Sequence, residues 1–181
     1  MLLDKLKMAT PQELPVGEPA IGSPRSGSDP GGRLAVVVFA VDGASCAVPL
    51  EATERALHMV AVSPLPGAPT ILAGVINLHG SVVPVVDLRR RLGLAPRPYG
   101  LRAHLLLVTS PRRRLALSAD QVLGVRTIPE DSVLPSRLVA PGLGALAGIA
   151  ALPDGLLFIH DLEAVLSDED EACLERALAA R

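Results

Sequence analysis

Tryptophan is absent from this 181-residue chain, and one tyrosine and two phenylalanines are its only aromatics. Proteins that hold single-stranded nucleic acid stack bases on aromatic rings, and duplex binders carry a basic footprint. Here 17 Lys and Arg stand against 19 Asp and Glu, so no nucleic-acid partner is expected. Cysteine is nearly as scarce: Cys46 and Cys173 lie far apart, which argues against a disulfide framework and for a reducing, cytoplasmic setting. Long hydrophobic runs are missing too. The longest, Leu34 to Val41, has eight residues, a strand's length and far short of the ~20 that a membrane helix needs. The opening MLLDKLKMA is too short and too broken by Asp4 for a signal or an anchor, so no direct membrane insertion is expected.

Catalytic and cofactor machinery is equally hard to find. GASCA, from Gly43, ends in alanine where a nucleophile elbow needs glycine, and no G-x-x-x-x-G-K loop occurs. GLGALA, Gly142 to Ala147, imitates a dinucleotide fingerprint, but Pro141 stands where its feeding strand should run. It reads as a small-residue loop leading into a strand. His58, His79, His104 and His160 are scattered, with no H-x-x-x-H pair and no cysteine in ligand spacing, so neither metal nor cofactor is expected. His160 beside Asp161 reads as a strand end followed by a cap. The triplets Arg89 to Arg91 and Arg112 to Arg114 read as a solvated helix face and a hairpin turn.

What the chain does have is short apolar strands separated by turn residues. Thr10 to Gly32 is rich in Pro, Gly and Ser, a composition that cannot bury enough surface to order itself. Residues 1–32 are therefore expected to be a flexible tail and 33–181 the folded domain. LAVVVFAV and ASCAVPL flank Asp42-Gly43, and AGIAALP and LLFIH flank Asp154-Gly155; both read as tight hairpins. Further hairpins are expected at Gly80-Ser81 and Pro111-Arg112. No internal repeat stands out. Asp87 stands as N-cap of LRRRL with Gly93 closing it, and Ser167 before Asp168, Glu169 and Asp170 starts a terminal helix. The fold class is mainly all-β, sandwich or barrel.

The stretch GVINLHGSVVPVVDLRRRLGL carries the densest pattern. Pro84 cannot donate to a ladder, so its strand must be an edge or carry a bulge. Gly74 and Gly80 bracket the strand VINLH, where alternation sets Ile76 and Leu78 on one side and Val75, Asn77 and His79 on the other. This stretch closely resembles the motif of the CheW-like family of chemotaxis coupling proteins, G-V-x-N-L-R-G-x-x-V-P-V-V-D-L followed by a short helix. FAVDGASCAVPLEATERAL, LALSADQVLGVRTI and LLFIHDLEAVL resemble three further segments of that family, in the same order.

The resemblance implies two SH3-like five-stranded β-barrels with short helices and a C-terminal helix, and an adaptor rather than an enzyme. It implies two partners: the cytoplasmic tip of methyl-accepting chemoreceptors, and a CheA-type histidine kinase that pairs through its own CheW-like regulatory domain. The expected place is the cytoplasm, at membrane receptor arrays. Gly74, Gly80, Pro84, Asp87 and Leu88 are the structural positions of the motif, and Thr53, Arg55, Gly74, Asn77 and His79 are expected to face the receptor across a groove. Two departures from the family pattern stand out. Glu54-Arg55 reverses the usual basic-then-acidic order, and His79 replaces an arginine, so Arg55 and His79 are expected to face each other. Two other readings remain: a scaffold of a non-flagellar chemosensory pathway, and a small-ligand sensor on a β-barrel, which would need clustered titratable residues.

Overall fold

The computed structural model describes residues 32–136 and 145–180. The expected tail, apart from Gly32, lies outside the described residues, as do Gly142 to Gly144 of the GLGALA loop. The chain runs β1 (Arg33–Val41), β2 (Ala44–Pro49), β3 (Thr53–His58), β4 (Leu72–Leu78), β5 (Ser81–Val86) and α1 (Leu88–Arg91). It continues through β6 (His104–Thr109), β7 (Arg114–Ala119), β8 (Gln121–Pro129), β9 (Val133–Pro135), β10 (Leu146–Leu152), β11 (Gly155–His160) and α2 (Asp168–Ala179).

These strands form two sheets, in the orders β8-β1-β2-β11-β10-β9 and β3-β6-β7-β5-β4. Each sheet folds over a core of its own: Val36, Val38, Ala47, Ile128, Leu157 and Ile159 in the first, and Ile76, Val83, Val85, Leu105, Leu107 and Ala116 in the second. A third and larger cluster lies between them, drawing Phe39 and Val48 from one sheet, Leu106 and Leu117 from the other, and Leu174 from α2. Burial on both faces explains why Leu34 to Val41 is apolar without alternation. Val36 and Val38 enter the inner core while Val37, Phe39 and Val41 enter the shared one. The mainly β, SH3-like architecture matches the expectation, with β9 as an additional edge strand.

Local geometry follows the sequence closely at most turns. Asp42 and Gly43 both take positive φ, 51° and 82°, as a two-residue hairpin requires. Asp87 accepts from the N–H groups of Arg89 and Arg90 and caps α1, and Gly93 closes it at φ 69°. Ser167 and Asp170 form a reciprocal capping box on α2. Pro84, expected on an edge strand or at a bulge, sits instead in regular register in a strand that is internal by sheet order, yet its missing donor is not needed. Its partner Val75 spends both N–H and C=O on Ser63, and pairing of β5 with β7 begins only at Val85.

Four expectations need correction. The β10–β11 turn is Pro153-Asp154, with Gly155 already paired to Leu152, because the strand runs one residue further back than the Asp-Gly rule places it. The turn between β4 and β5 is His79-Gly80, with φ 52° and 90°, so His79 has left the strand and does not share a face with Val75 and Asn77. Arg112 to Arg114 do close the β6–β7 hairpin as expected, but Arg89 to Arg91 are not a solvated face, since only Arg90 is exposed. Arg89 is 3% exposed and ion-paired to Asp120, Arg91 donates to the carbonyls of Val165 and Ala164, and Arg112, Arg113 and Arg114 pair with Asp168, Glu171 and Glu54.

The fourth correction is that a repeat exists. Residues 72–88 and 146–162 align without a gap and are identical at six positions: Leu72/Leu146, Ala73/Ala147, Gly74/Gly148, Leu78/Leu152, Asp87/Asp161 and Leu88/Leu162. Both segments fold as hairpins with a register shift at the same place, Leu72/Gly74 and Leu146/Gly148. Asp161 caps the turn after its hairpin as Asp87 caps α1. The two glycines are repeated for a shared reason. A Cβ on Gly74 would overlap the Ser63 carbonyl, and one on Gly148 would sit 2.8 Å from the Leu134 carbonyl oxygen. The two halves of the chain also interleave: the first sheet joins β1 and β2 to β8 and β11, and the second joins β3 and β5 to β6 and β7.

Candidate functional site

Two surfaces stand out. The first begins at a bulge: Val38 pairs with Gly124 but Phe39 pairs with Val122, leaving Leu123 as the extra residue of β8. Bulges on edge strands re-aim side chains, and Leu123 is 54% exposed beside Val125 at 61%. Leu156, at the start of β11, joins them across a depression of about 250 Å³ that Val38, Leu152 and Leu157 also line. Arg126 spans the depression to Asp154 at 2.7 Å, and that bond holds the Asp154 carboxyl below its ordinary range. Apart from this pair and Ser45, the side chains that line the depression are aliphatic. Large exposed aliphatic side chains gathered on one strand edge mark an interaction surface rather than a reaction site. Sequence reasoning did not find it, although Gly124 inside an apolar strand run is the signal of a bulge.

The second surface is a hollow of about 460 Å³ where the two sheets meet. Pro49, Glu51 and Ala52 line it from one side, the β6–β7 turn at Thr109 to Pro111 from another, and Ala147 with His160 to Glu163 from below. His160 is 1% exposed, and among the described residues neither ring nitrogen has a hydrogen bond of good geometry. Its ring stacks on Phe39, with centroids 6.1 Å apart. Burial first, and the nearby Arg91 guanidinium second, push its pKa down to about 4. It is a neutral core imidazole, not an acid/base group beside Asp161, whose carboxylate is occupied as a cap.

The five residues expected to face a receptor do not gather into one cluster. Thr53 donates to the Pro49 carbonyl at 2.9 Å beside the inter-sheet hollow, and Arg55 is exposed on β3. Asn77 accepts from the Gly80 N–H at 2.8 Å and so holds the β4–β5 turn. Gly74 serves the close approach to Ser63. Tracing the ladders, Arg55 lies in a row with Leu107, Ala116, Val85 and Gly74. His79 lies five residues beyond that row, past the end of β4. Glu54 rather than Arg55 has a partner: Arg114 Nε donates to it at 2.7 Å, lowering the Glu54 pKa.

Comparison with known proteins bears on the family and the fold. The CheW-like domain model matches residues 35–170. Over 112 residues the chain is 33% identical to the probable chemotaxis protein CheW of Rhizobium etli, covering 60% of this chain and 72% of that one. It is 34% identical over 100 residues to protein FrzA of Myxococcus xanthus, covering 55% and 62%. Its fold superposes on the crystal structure of the scaffolding protein TtCheW from Thermoanaerobacter tengcongensis with a TM-score of 0.70 at 25% identity, covering 76% of this chain and 94% of that one.

Proposed function

The chain belongs to the CheW-like domain family, as a chemotaxis coupling scaffold, and from that premise we propose that it joins chemoreceptor tips to a CheA-type histidine kinase and catalyses no reaction. In this reading the protein works in the cytoplasm, recruited to membrane receptor arrays. The kinase's CheW-like regulatory domain docks on the surface formed by Leu123, Val125 and Leu156. The receptor tip lies along the inter-sheet hollow, flanked by Thr53 and Arg55. The observation that supports this most is the bulged edge strand, where Leu123 and Val125 are turned outward over an apolar depression.

A contact that buries leucine and valine depends little on ionic strength. The test is the affinity of the kinase regulatory domain for wild type, Leu123→Asp and Val125→Asp. Each variant should bind more than about tenfold more weakly, the scale of a buried interface anchor, while melting like wild type. Wild-type affinity should change less than severalfold between low and moderate salt. Unchanged binding by both variants, or a hundredfold loss with salt, rejects the assignment. The likeness to FrzA supports a second reading, in which the same scaffold serves a pathway other than flagellar steering. Which kinase is captured by affinity pull-down from the source cells separates the two.

A further inference from the structure

His58 and His104 are 46 residues apart in sequence, and β3–β6 pairing sets them directly opposite each other. One residue further along the ladder, the Met59 N–H donates to the Ala103 carbonyl at 2.9 Å. Hydrogen-bonded and non-bonded pairs alternate in an antiparallel ladder, so His58 and His104 occupy a non-bonded pair, the kind in which side chains approach most closely. Their ring centroids are 4.7 Å apart, with 33° between the planes. His104 Nδ1 lies 2.6 Å from the Arg102 carbonyl oxygen. A carbonyl can only accept, so Nδ1 carries the proton and the neutral ring presents its Nε2 lone pair. That is the outer-shell bond that orients metal-ligating imidazoles.

We propose that His58 and His104 form a two-imidazole site for a borderline divalent cation, of which Zn²⁺, Ni²⁺ and Cu²⁺ are the class that imidazole suits. Each ring supplies one nitrogen at about 2.0–2.1 Å, which small rotations of rings this close allow. Among the described residues no group of three or more His, Cys, Asp or Glu side chains gathers to hold a metal, so water or a side chain from a docked partner completes the shell. β3 is the edge strand of its sheet and carries Glu54 and Arg55. An ion bridging His58 to His104 therefore clamps this edge to β6. The pair was invisible in the sequence because its spacing belongs to strand register and not to any short motif.

The experiment is titration of the whole chain with zinc chloride, followed by calorimetry and by imidazole ¹⁵N shifts. His58→Gln, His104→Gln and the control His79→Gln are compared with wild type. Expected are one Zn²⁺ per chain, a zinc-dependent rise in melting temperature that EDTA reverses, and shifts confined to His58 and His104. Either site variant should weaken binding by more than the roughly 10–100-fold that loss of an outer-shell partner costs. His79→Gln should bind as wild type does. No saturable zinc binding, or binding retained in both site variants, overturns the proposal. If a variant melts too low to titrate, the ¹⁵N shifts of wild type decide alone, and shifts centred on His79 would reject the site.

Discussion

Acidification should destabilise this protein well above the range in which carboxylates protonate, because of one residue. His160 is buried, among the described residues neither ring nitrogen has a hydrogen bond of good geometry, and its pKa in the fold is about 4 against an ordinary 6.5. The unfolded chain takes up the proton first, so the stability that His160 contributes is whole above pH 6.5 and is lost as pH falls towards 4. The full gap of 2.5 pH units corresponds to about 3 kcal/mol, of which about 2 kcal/mol is lost between pH 7.5 and 5.0. Urea unfolding at half-unit steps across that interval reads the loss directly. With an m-value of about 2 kcal/mol/M, the midpoint should fall by about 1 M. The remaining histidines, His58, His79 and His104, lie exposed or half-buried. A His160→Leu variant should keep a flat midpoint over the same interval, and the wild-type His160 ring should show no protonation by NMR above about pH 5. An equal fall in wild type and variant, or a His160 ring titrating near 6.5, would refute the reasoning.

Other perturbations separate packing from surface decoration. Gly74→Ala and Gly148→Ala should each cost at least about 2 kcal/mol in thermal melts, since a Cβ meets a backbone carbonyl at both positions. Gly93→Ala, also at positive φ but with nothing near, should cost only the roughly 1 kcal/mol of left-handed strain. Arg113→Ala leaves the buried Glu171 on α2 unpaired and should cost about 1–3 kcal/mol, whereas Arg112→Ala removes an exposed pair with Asp168 and should leave the melting temperature close to that of wild type. Arg55→Glu and His79→Arg should alter receptor-tip affinity additively, within about 0.5 kcal/mol, because the ladders hold them apart. A larger coupling energy in the double mutant would show that the two do face each other.

Legibility in the sequence tracked the range of each interaction. The hairpin at Asp42-Gly43, the Asp87 cap and the Ser167 box rest on contacts within four residues, and each could be read from the residue types. Arg113 and Glu171 are 58 residues apart, so their pairing was hidden although the hairpin turn itself was legible, and Arg89 to Arg91 looked like solvated charge because Asp120 and the Val165 carbonyl lie far off in sequence. The β4–β5 turn slipped by one residue because Asn77 accepts from Gly80 and draws His79 into positive φ. That tolerance belongs to the local bond and not to histidine's usual preference. The repeat escaped notice because only the bulge glycine, the capping aspartate and the packing leucines and alanine around them are identical. The strand interiors differ at the other positions, including Asn77 against Ala151, Pro84 against Phe158 and Val86 against His160. The outward surface on β8 depended on a bulge opposite Val38 and Phe39, and Gly124 alone could not announce which leucine it would expose.

The interleaving of the two halves has a consequence for coupling. A scaffold that merely tethered two partners could be two modules on a linker, but here each sheet needs a strand from the other half of the chain. Separating the halves would break four strand ladders, β1–β8, β2–β11, β3–β6 and β5–β7, and open the shared core that holds Phe39, Leu106, Leu117 and Leu174. Such interlocked layers unfold together rather than in turn, and close-packed cores transmit displacement rather than absorbing it. The β8 surface belongs to one sheet, and Thr53 and Arg55 on β3 belong to the other. Their relative placement is therefore set by the same core that sets the fold. A partner bound at one surface meets a rigid body that ends at the other, which is the mechanical property a coupling scaffold requires.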